Sequence, residues 1–222
     1  TKVEKLVRMA GDTWLVAATA NEKETAEKGE YEAEEGKDYY IYEEIPFWFN
    51  GKGVRSRKRT ALFLFDGKTS DLKRITPPFL ETISFDVSAD GKKVSYCGPV
   101  YDSVRPRTCA LYLYDLESGE TRQLVDDTLY GVNQVCFLGN GRIFYTGATY
   151  ERVGKHPRYY VYDLAADTAR QLPFGDASIG NAVGSDAKFG AGKALAYCAE
   201  RDRLYLLQTA WGESKLMAMD GD

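Results

Sequence analysis

Ala61-Leu-Phe-Leu-Phe-Asp66, Ala110-Leu-Tyr-Leu-Tyr-Asp115 and Tyr159-Tyr-Val-Tyr-Asp163 are three versions of one phrase, a short apolar strand closed by an aspartate. The aspartates are 49 and then 48 residues apart, and a looser copy, Lys215-Leu-Met-Ala-Met-Asp220, follows after 57. A period of about 40 to 50 residues that carries several strands per repeat is the signature of β-propeller blades. The surrounding elements recur in the same order. Ser118-Gly119-Glu120 leads from Asp115 into Thr121-Arg-Gln-Leu124, Ala169-Arg-Gln-Leu172 follows Asp163, and Leu72-Lys-Arg-Ile-Thr76 follows Asp66. Ahead of the aspartate strands lie hairpins whose tips read Asp90-Gly91 and Gly139-Asn140-Gly141, in which Asp-Gly and Asn-Gly accept the positive φ of two-residue turns.

The repeats predict an all-β fold, a partial β-propeller of about four blades of four antiparallel strands. The blades fall near residues 1–76, 82–124, 132–172 and 181–222. In the last, Asp220-Gly221 should lead into an outer strand that the sequence does not contain, so the chain reads as the N-terminal part of a longer propeller. The aspartates themselves, repeated at strand ends, are expected to cap turns. An open arc of blades also leaves unpaired strand edges, which predicts self-association.

Composition excludes several classes. There is no apolar run of about 18 residues, and no secretory leader pattern opens the chain. Cys97, Cys109, Cys136 and Cys198 sit in or beside strand patterns without C-x-x-C pairing, which suits small buried hydrophobes in a reduced, cytoplasmic protein, although an even count leaves disulfides open. The only histidine, His156, stands in a loop beside Pro157, so no metal site is expected. The net charge of -4 divides into -7 over residues 21–44 and +3 elsewhere. Residues 21–37 read as a solvated acidic insertion. Arg55, Arg57, Lys58 and Arg59 form one short basic cluster opposite it, not a stripe for nucleic acid.

The most distinctive stretch is Tyr39-Tyr-Ile-Tyr-Glu-Glu-Ile-Pro-Phe-Trp-Phe-Asn-Gly-Lys-Gly-Val54. Aromatic strands flanking Asn50-Gly51-Lys52-Gly53 predict an extended hairpin over residues 39–60 within blade one. Pairing around that tip would bring Glu43 and Glu44 near Arg59, as a charged hairpin face worth a few tenths to about 1 kcal/mol per cross-strand pair.

The segment Glu43-Glu-Ile-Pro-Phe-Trp-Phe-Asn-Gly-Lys-Gly53, followed by Arg57-Lys-Arg-Thr-Ala-Leu-Phe-Leu-Phe-Asp66, resembles the first-blade extension of serine peptidases of the prolyl oligopeptidase family, in its acylaminoacyl-peptidase and dipeptidyl-peptidase-like branch. The resemblance implies an N-terminal propeller that restricts peptide access to a C-terminal α/β-hydrolase domain, with no cofactor. It also implies a candidate substrate-binding pair, Glu43 and Glu44, since in that branch two propeller glutamates hold the free amino terminus of the substrate through charge-assisted hydrogen bonds. On a regular strand, adjacent side chains face opposite ways, so both could meet one amine only at a bulge or turn.

No Gly-x-Ser-x-Gly elbow occurs, and His156 has no serine partner, so no catalytic residue is expected in this chain and peptidase activity would belong to a longer parent. Two other readings remain. One is a protein-interaction propeller without a hydrolase domain. The other is a propeller glycosidase, which needs two carboxylates about 5 to 10 Å apart.

Overall fold

The computed structural model describes residues 2–22, 42–50, 53–55, 57–129, 132–148, 157–173, 177–180 and 193–220. His156, Tyr39 to Ile41 and all of the acidic insertion beyond Glu22 fall outside these residues. The chain divides into two compact units, Thr1–Ile83 with Gly98–Arg107, and Ser84–Cys97 with Thr108–Asp222.

The first unit holds one antiparallel sheet. Strands β1 (Val3–Arg8) and β2 (Thr13–Asn21) precede a two-stranded ribbon, β3 (Trp48–Phe49) and β4 (Gly53–Val54), after which β5 (Lys58–Asp66) and β6 (Leu72–Arg74) complete the order β1-β2-β5-β6. β5 is a near-continuous apolar run because both of its faces are covered, and Ala61 and Leu62 have no exposed surface.

The second unit carries three sheets. β7 (Ser84–Val87), β8 (Lys93–Gly98), β9 (Ala110–Asp115) and β10 (Thr121–Val125) form one, and β11 (Val135–Leu138), β12 (Arg142–Gly147), β13 (Arg158–Asp163) and β14 (Thr168–Gln171) the next, each in sequential order. The last contains β15 (Ser178–Ile179), β16 (Leu195–Cys198), β17 (Arg203–Ala210) and β18 (Glu213–Asp220). Here β15 and β16 share one edge of β17, and β18 pairs along the other. Outer strands β10 and β14 are polar and exposed, as their Thr-Arg-Gln patterns require. Between the sheets of this unit lie two apolar clusters. One packs Leu111, Leu113, Val135, Phe137 and Tyr145 together, and the other packs Leu138, Phe144, Tyr159, Leu204 and Leu206. β7 and β11 are joined at the innermost position by side chains as well: the amides of Val135 and Phe137 donate to Ser84 Oγ and Asp86 Oδ2, at 3.2 and 2.8 Å.

The fold is a partial β-propeller, nearly all strand, and the repeated aspartates do cap turns. Asp66 Oδ1 accepts the amides of Lys68 and Thr69, Asp115 Oδ1 those of Glu117 and Ser118, and Asp163 Oδ1 those of Ala165 and Ala166, at 2.7 to 3.3 Å. These bonds favour the carboxylate and hold Asp66 and Asp163 below the usual range; at Asp115 the Lys93 ammonium is the largest cause of the same shift.

The hairpin tips differ in length from the two-residue turns expected. Leu138 pairs with Arg142 across the three residues Gly139, Asn140 and Gly141. Asn140 and Gly141 do take positive φ, 57° and 68°. At Gly139 a Cβ would fall 2.4 Å from Tyr197 Oη, which donates to Asp202. At the other tip Val87 pairs with Val94, and the loop is closed by Ser88 N donating to Lys93 O at 3.0 Å, with only Gly91 in the left-handed region.

Candidate functional site

The first unit concentrates its charged chemistry where β5 begins. Ala20 pairs with Arg59 and Asn21 with Lys58, so the β2–β5 ladder delivers Arg59 next to the segment that carries Glu43 and Glu44. That segment is pinned from the other side. Ile45 forms a parallel bridge with Val104, Ile45 N donates to Ser103 O at 2.9 Å, and Arg105 N donates to Ile45 O at 2.8 Å. Held in this way, Glu44 turns inward at a bend while Glu43 stays at the surface.

Glu44 is buried against a buried arginine. The side chains of Arg59 and Glu44 are 0% and 1% exposed. Arg59 donates Nη1 to Glu44 Oε2 at 3.2 Å and Nη2 to Glu44 Oε1, while Arg57 N donates to Glu44 Oε2 at 2.6 Å. The guanidinium is further occupied by Phe79 O at 3.3 Å and Tyr101 O at 2.8 Å, and it stacks 3.8 Å from the centre of the Tyr101 ring. Burial, only partly offset by that guanidinium, raises the Tyr101 hydroxyl above its ordinary range. Bidentate geometry with every remaining donor satisfied is the condition under which a buried ion pair is tolerated.

Around this pair lie three further ion pairs among the described residues. Arg57 Nη2 donates to Glu43 Oε2 at 3.0 Å, with the glutamate side chain 50% exposed. Arg55 reaches Glu81 Oε1 at 3.4 Å, and Glu81 Oε2 accepts Thr60 N at 3.0 Å. Gly98 permits the close approach of this last segment, since a Cβ on it would lie 1.9 Å from Glu81 O. Arg74 Nη2 donates to Glu22 Oε1 at 2.6 Å, and Glu22 is fully buried. Aromatic groups surround the outward side: Tyr42 stacks on Phe47 at 4.5 Å, and Trp48 is 54% exposed.

The ribbon differs from the expected extended hairpin. Its described ladder has two residue pairs, Trp48 with Val54 and Phe49 with Gly53. Residues 103–105, by pinning Ile45, help to hold Glu43 and Glu44 near the arginines. Glu44 and Arg59 form a buried pair and not part of a solvated face, because the Tyr101 ring and the Phe79 carbonyl close over the guanidinium. Glu22–Arg74 and Arg55–Glu81 were not anticipated: partners 52 and 26 residues apart leave no local pattern.

Chemically, the arrangement offers fixed charges and one half-exposed carboxylate, with no nucleophile and base held together among its residues. Among the described residues no helix is long and apolar enough to cross a membrane.

No family model and no curated protein sequence matches the chain. Among solved structures it is similar to uncomplexed acylaminoacyl peptidase from Pyrococcus horikoshii, with a TM-score of 0.61 and 16% identity over 100% of this chain and 31% of that one. Acylaminoacyl peptidase in complex with Z-Gly-Gly-Phe-chloromethyl ketone superposes with a TM-score of 0.60 and 16% identity, over 99% of this chain and 30% of that one. The tricorn protease gives 0.55 and 13%, over 93% and 15%. These likenesses establish the propeller fold, and the chain spans less than a third of the length of each of these proteins.

Proposed function

We propose that this chain is the substrate-gating propeller portion of a serine peptidase of the prolyl oligopeptidase family that acts on oligopeptides. The observation that carries the reading is the coincidence of two independent signals. The fold follows acylaminoacyl peptidase along the whole chain, and the described residues of the one segment with a family-specific pattern, residues 39–66, bring charged and aromatic groups together at the start of β5. A gating role asks for shape and fixed charge, not reactive groups, and that is what the site contains. The test is the coding sequence downstream of Asp222: further blades followed by a Gly-x-Ser-x-Gly elbow, an acidic residue and a late histidine support the reading, whereas a stop codon or blades alone leave an interaction propeller.

Within this reading Glu43, and not Glu44, takes the substrate-amine role. Both oxygens of Glu44 are held by Arg59, with the Arg57 amide adding a further donor, while Glu43 keeps half its side chain in solvent with Arg57 on one oxygen. In the full-length peptidase, Glu43→Gln is expected to raise KM for peptides with a free amino terminus by about tenfold, the scale of one charge-assisted bond, and to leave N-acetylated peptides unaffected. Equal effects on both substrates would remove this role.

A further inference from the structure

Cys97, near the end of β8, and Cys109, just ahead of β9, both donate their thiol hydrogens to one acceptor, the carbonyl oxygen of Val132, at 3.4 and 3.2 Å. Two sulfurs that share an oxygen cannot lie further apart than those two distances laid end to end. Both are enclosed in the cluster that includes Leu111 and Tyr145, with Cys97 at 0% and Cys109 at 2% exposure. Burial, with Cys109 adding to it, pushes the Cys97 thiol well up, so Cys97 rests as a neutral thiol. The two residues stand at either end of the connection from β8 to β9, so a bond between them closes the short loop of residues 98–108. Cys136 is placed differently: its Sγ contacts the carbonyl of its own neighbour, Phe137, at 3.5 Å.

We propose that Cys97 and Cys109 form a reversible disulfide, making this core a redox-responsive modification site. With a low-molecular-weight disulfide such as oxidised glutathione as oxidant, a local opening of the cluster lets Cys109 give its proton to solvent, and the thiolate attacks one glutathione sulfur. A mixed disulfide forms and the first glutathione leaves as a thiolate. The Cys97 thiolate then attacks Cys109 Sγ, the bond from Cys109 to glutathione breaks, and the second glutathione leaves. The two protons released by the cysteines end on the two glutathione thiols, so two cysteines are oxidised and one glutathione disulfide is reduced. A bridge of normal length, about 2.05 Å, turns both sulfurs toward each other and withdraws two donors from the Val132 carbonyl. Val132 precedes β11, so the redox state of the pair acts on the packing of β11 against β7 and β8.

The test incubates the folded chain to equilibrium with oxidised and reduced glutathione, then unfolds it in acid, alkylates it and measures its mass. The expected result is two alkylated cysteines and a proteolytic fragment that joins Cys97 to Cys109. The oxidised chain should also melt about 5–10 °C above a sample kept in dithiothreitol. Cys97→Ser and Cys109→Ser should each remove both effects. Four alkylated cysteines, a stable glutathione adduct at Cys109, or a bridge to Cys136 or Cys198 would each overturn the proposal.

Discussion

Glu43 and Glu44 are neighbours in sequence with the same chemistry, and the fold places them in opposite regimes. A half-exposed carboxylate paired with one arginine contributes little, so Glu43→Gln is expected to change stability by less than about 1 kcal/mol. Glu44→Gln leaves the Arg59 charge buried without its partner and is expected to cost about 3–5 kcal/mol. Urea unfolding of the two variants at neutral pH checks the contrast; equal losses would mean that Arg59 is more hydrated than its enclosure implies. The turn-capping aspartates act at the same scale through pH. Asp163 accepts amides from Ala166 and Ala165, and these bonds lower its pKa below the ordinary value of 3.8. A depressed folded-state pKa contributes stability that is fully present above the unfolded value, and this is lost as pH falls through the folded one. The loss therefore lies below about pH 4. Asp163→Asn keeps an oxygen that can accept both amides but does not titrate, so its urea midpoint, followed from about pH 7 down to pH 2, should fall less steeply in acid than that of the parent chain. An identical acid limb would exclude Asp163 as a contributor.

Turn chemistry locates strand pairs well and loop lengths poorly. Asp90-Gly91 and Asn140-Gly141 marked their hairpins, but the ladder register, set by which faces must be buried, decided how many residues each loop holds. Among the described residues a two-residue turn does occur, at a place the sequence does not signal. Ala210 pairs with Glu213, and Trp211 and Gly212 between them have φ of 54° and 77°, the geometry that matches strand twist. Tryptophan is a poor occupant of that region, and its ring, 101% exposed, packs on nothing that would offset the strain. Trp211→Asn supplies a side chain that accepts positive φ. It is expected to stabilise the β17–β18 hairpin by about 1 kcal/mol and to raise the melting temperature by about 2–4 °C. Calorimetry of the two chains decides it, and an unchanged or lower midpoint would show that the indole has a role in the fold that its exposure hides.

Across the chain, the blade period was legible because each repeat must bury the same strand faces, and burial writes itself into sequence as Leu-Tyr-Leu-Tyr runs at fixed spacing. The charged site was legible only in part. Glu43, Glu44 and Arg59 lie close in sequence, but the groups that bury them, Tyr101 and the backbone of residues 103–105, are 42 or more residues beyond Arg59 and carry no motif. The convergence of two thiols on the Val132 carbonyl was hidden for the same reason. At this scale the proposed gating role makes a demand of its own. The chain lacks a nucleophile elbow, and its single histidine has no serine partner in sequence, so incubation with free and N-acylated peptide anilides should release no product above buffer. If that role holds, a longer product of the same gene exists that cleaves those peptides, loses activity on reaction with a serine-directed fluorophosphonate, and spares a folded globular protein carrying the same cleavable sequence in a surface loop. A propeller that only binds partners predicts no hydrolysis by either form. A hydrolase whose propeller does not gate predicts that the loop and the short peptide are cut at comparable rates, so the ratio of the two rates separates the readings, because it depends on access and cancels the chemistry they share.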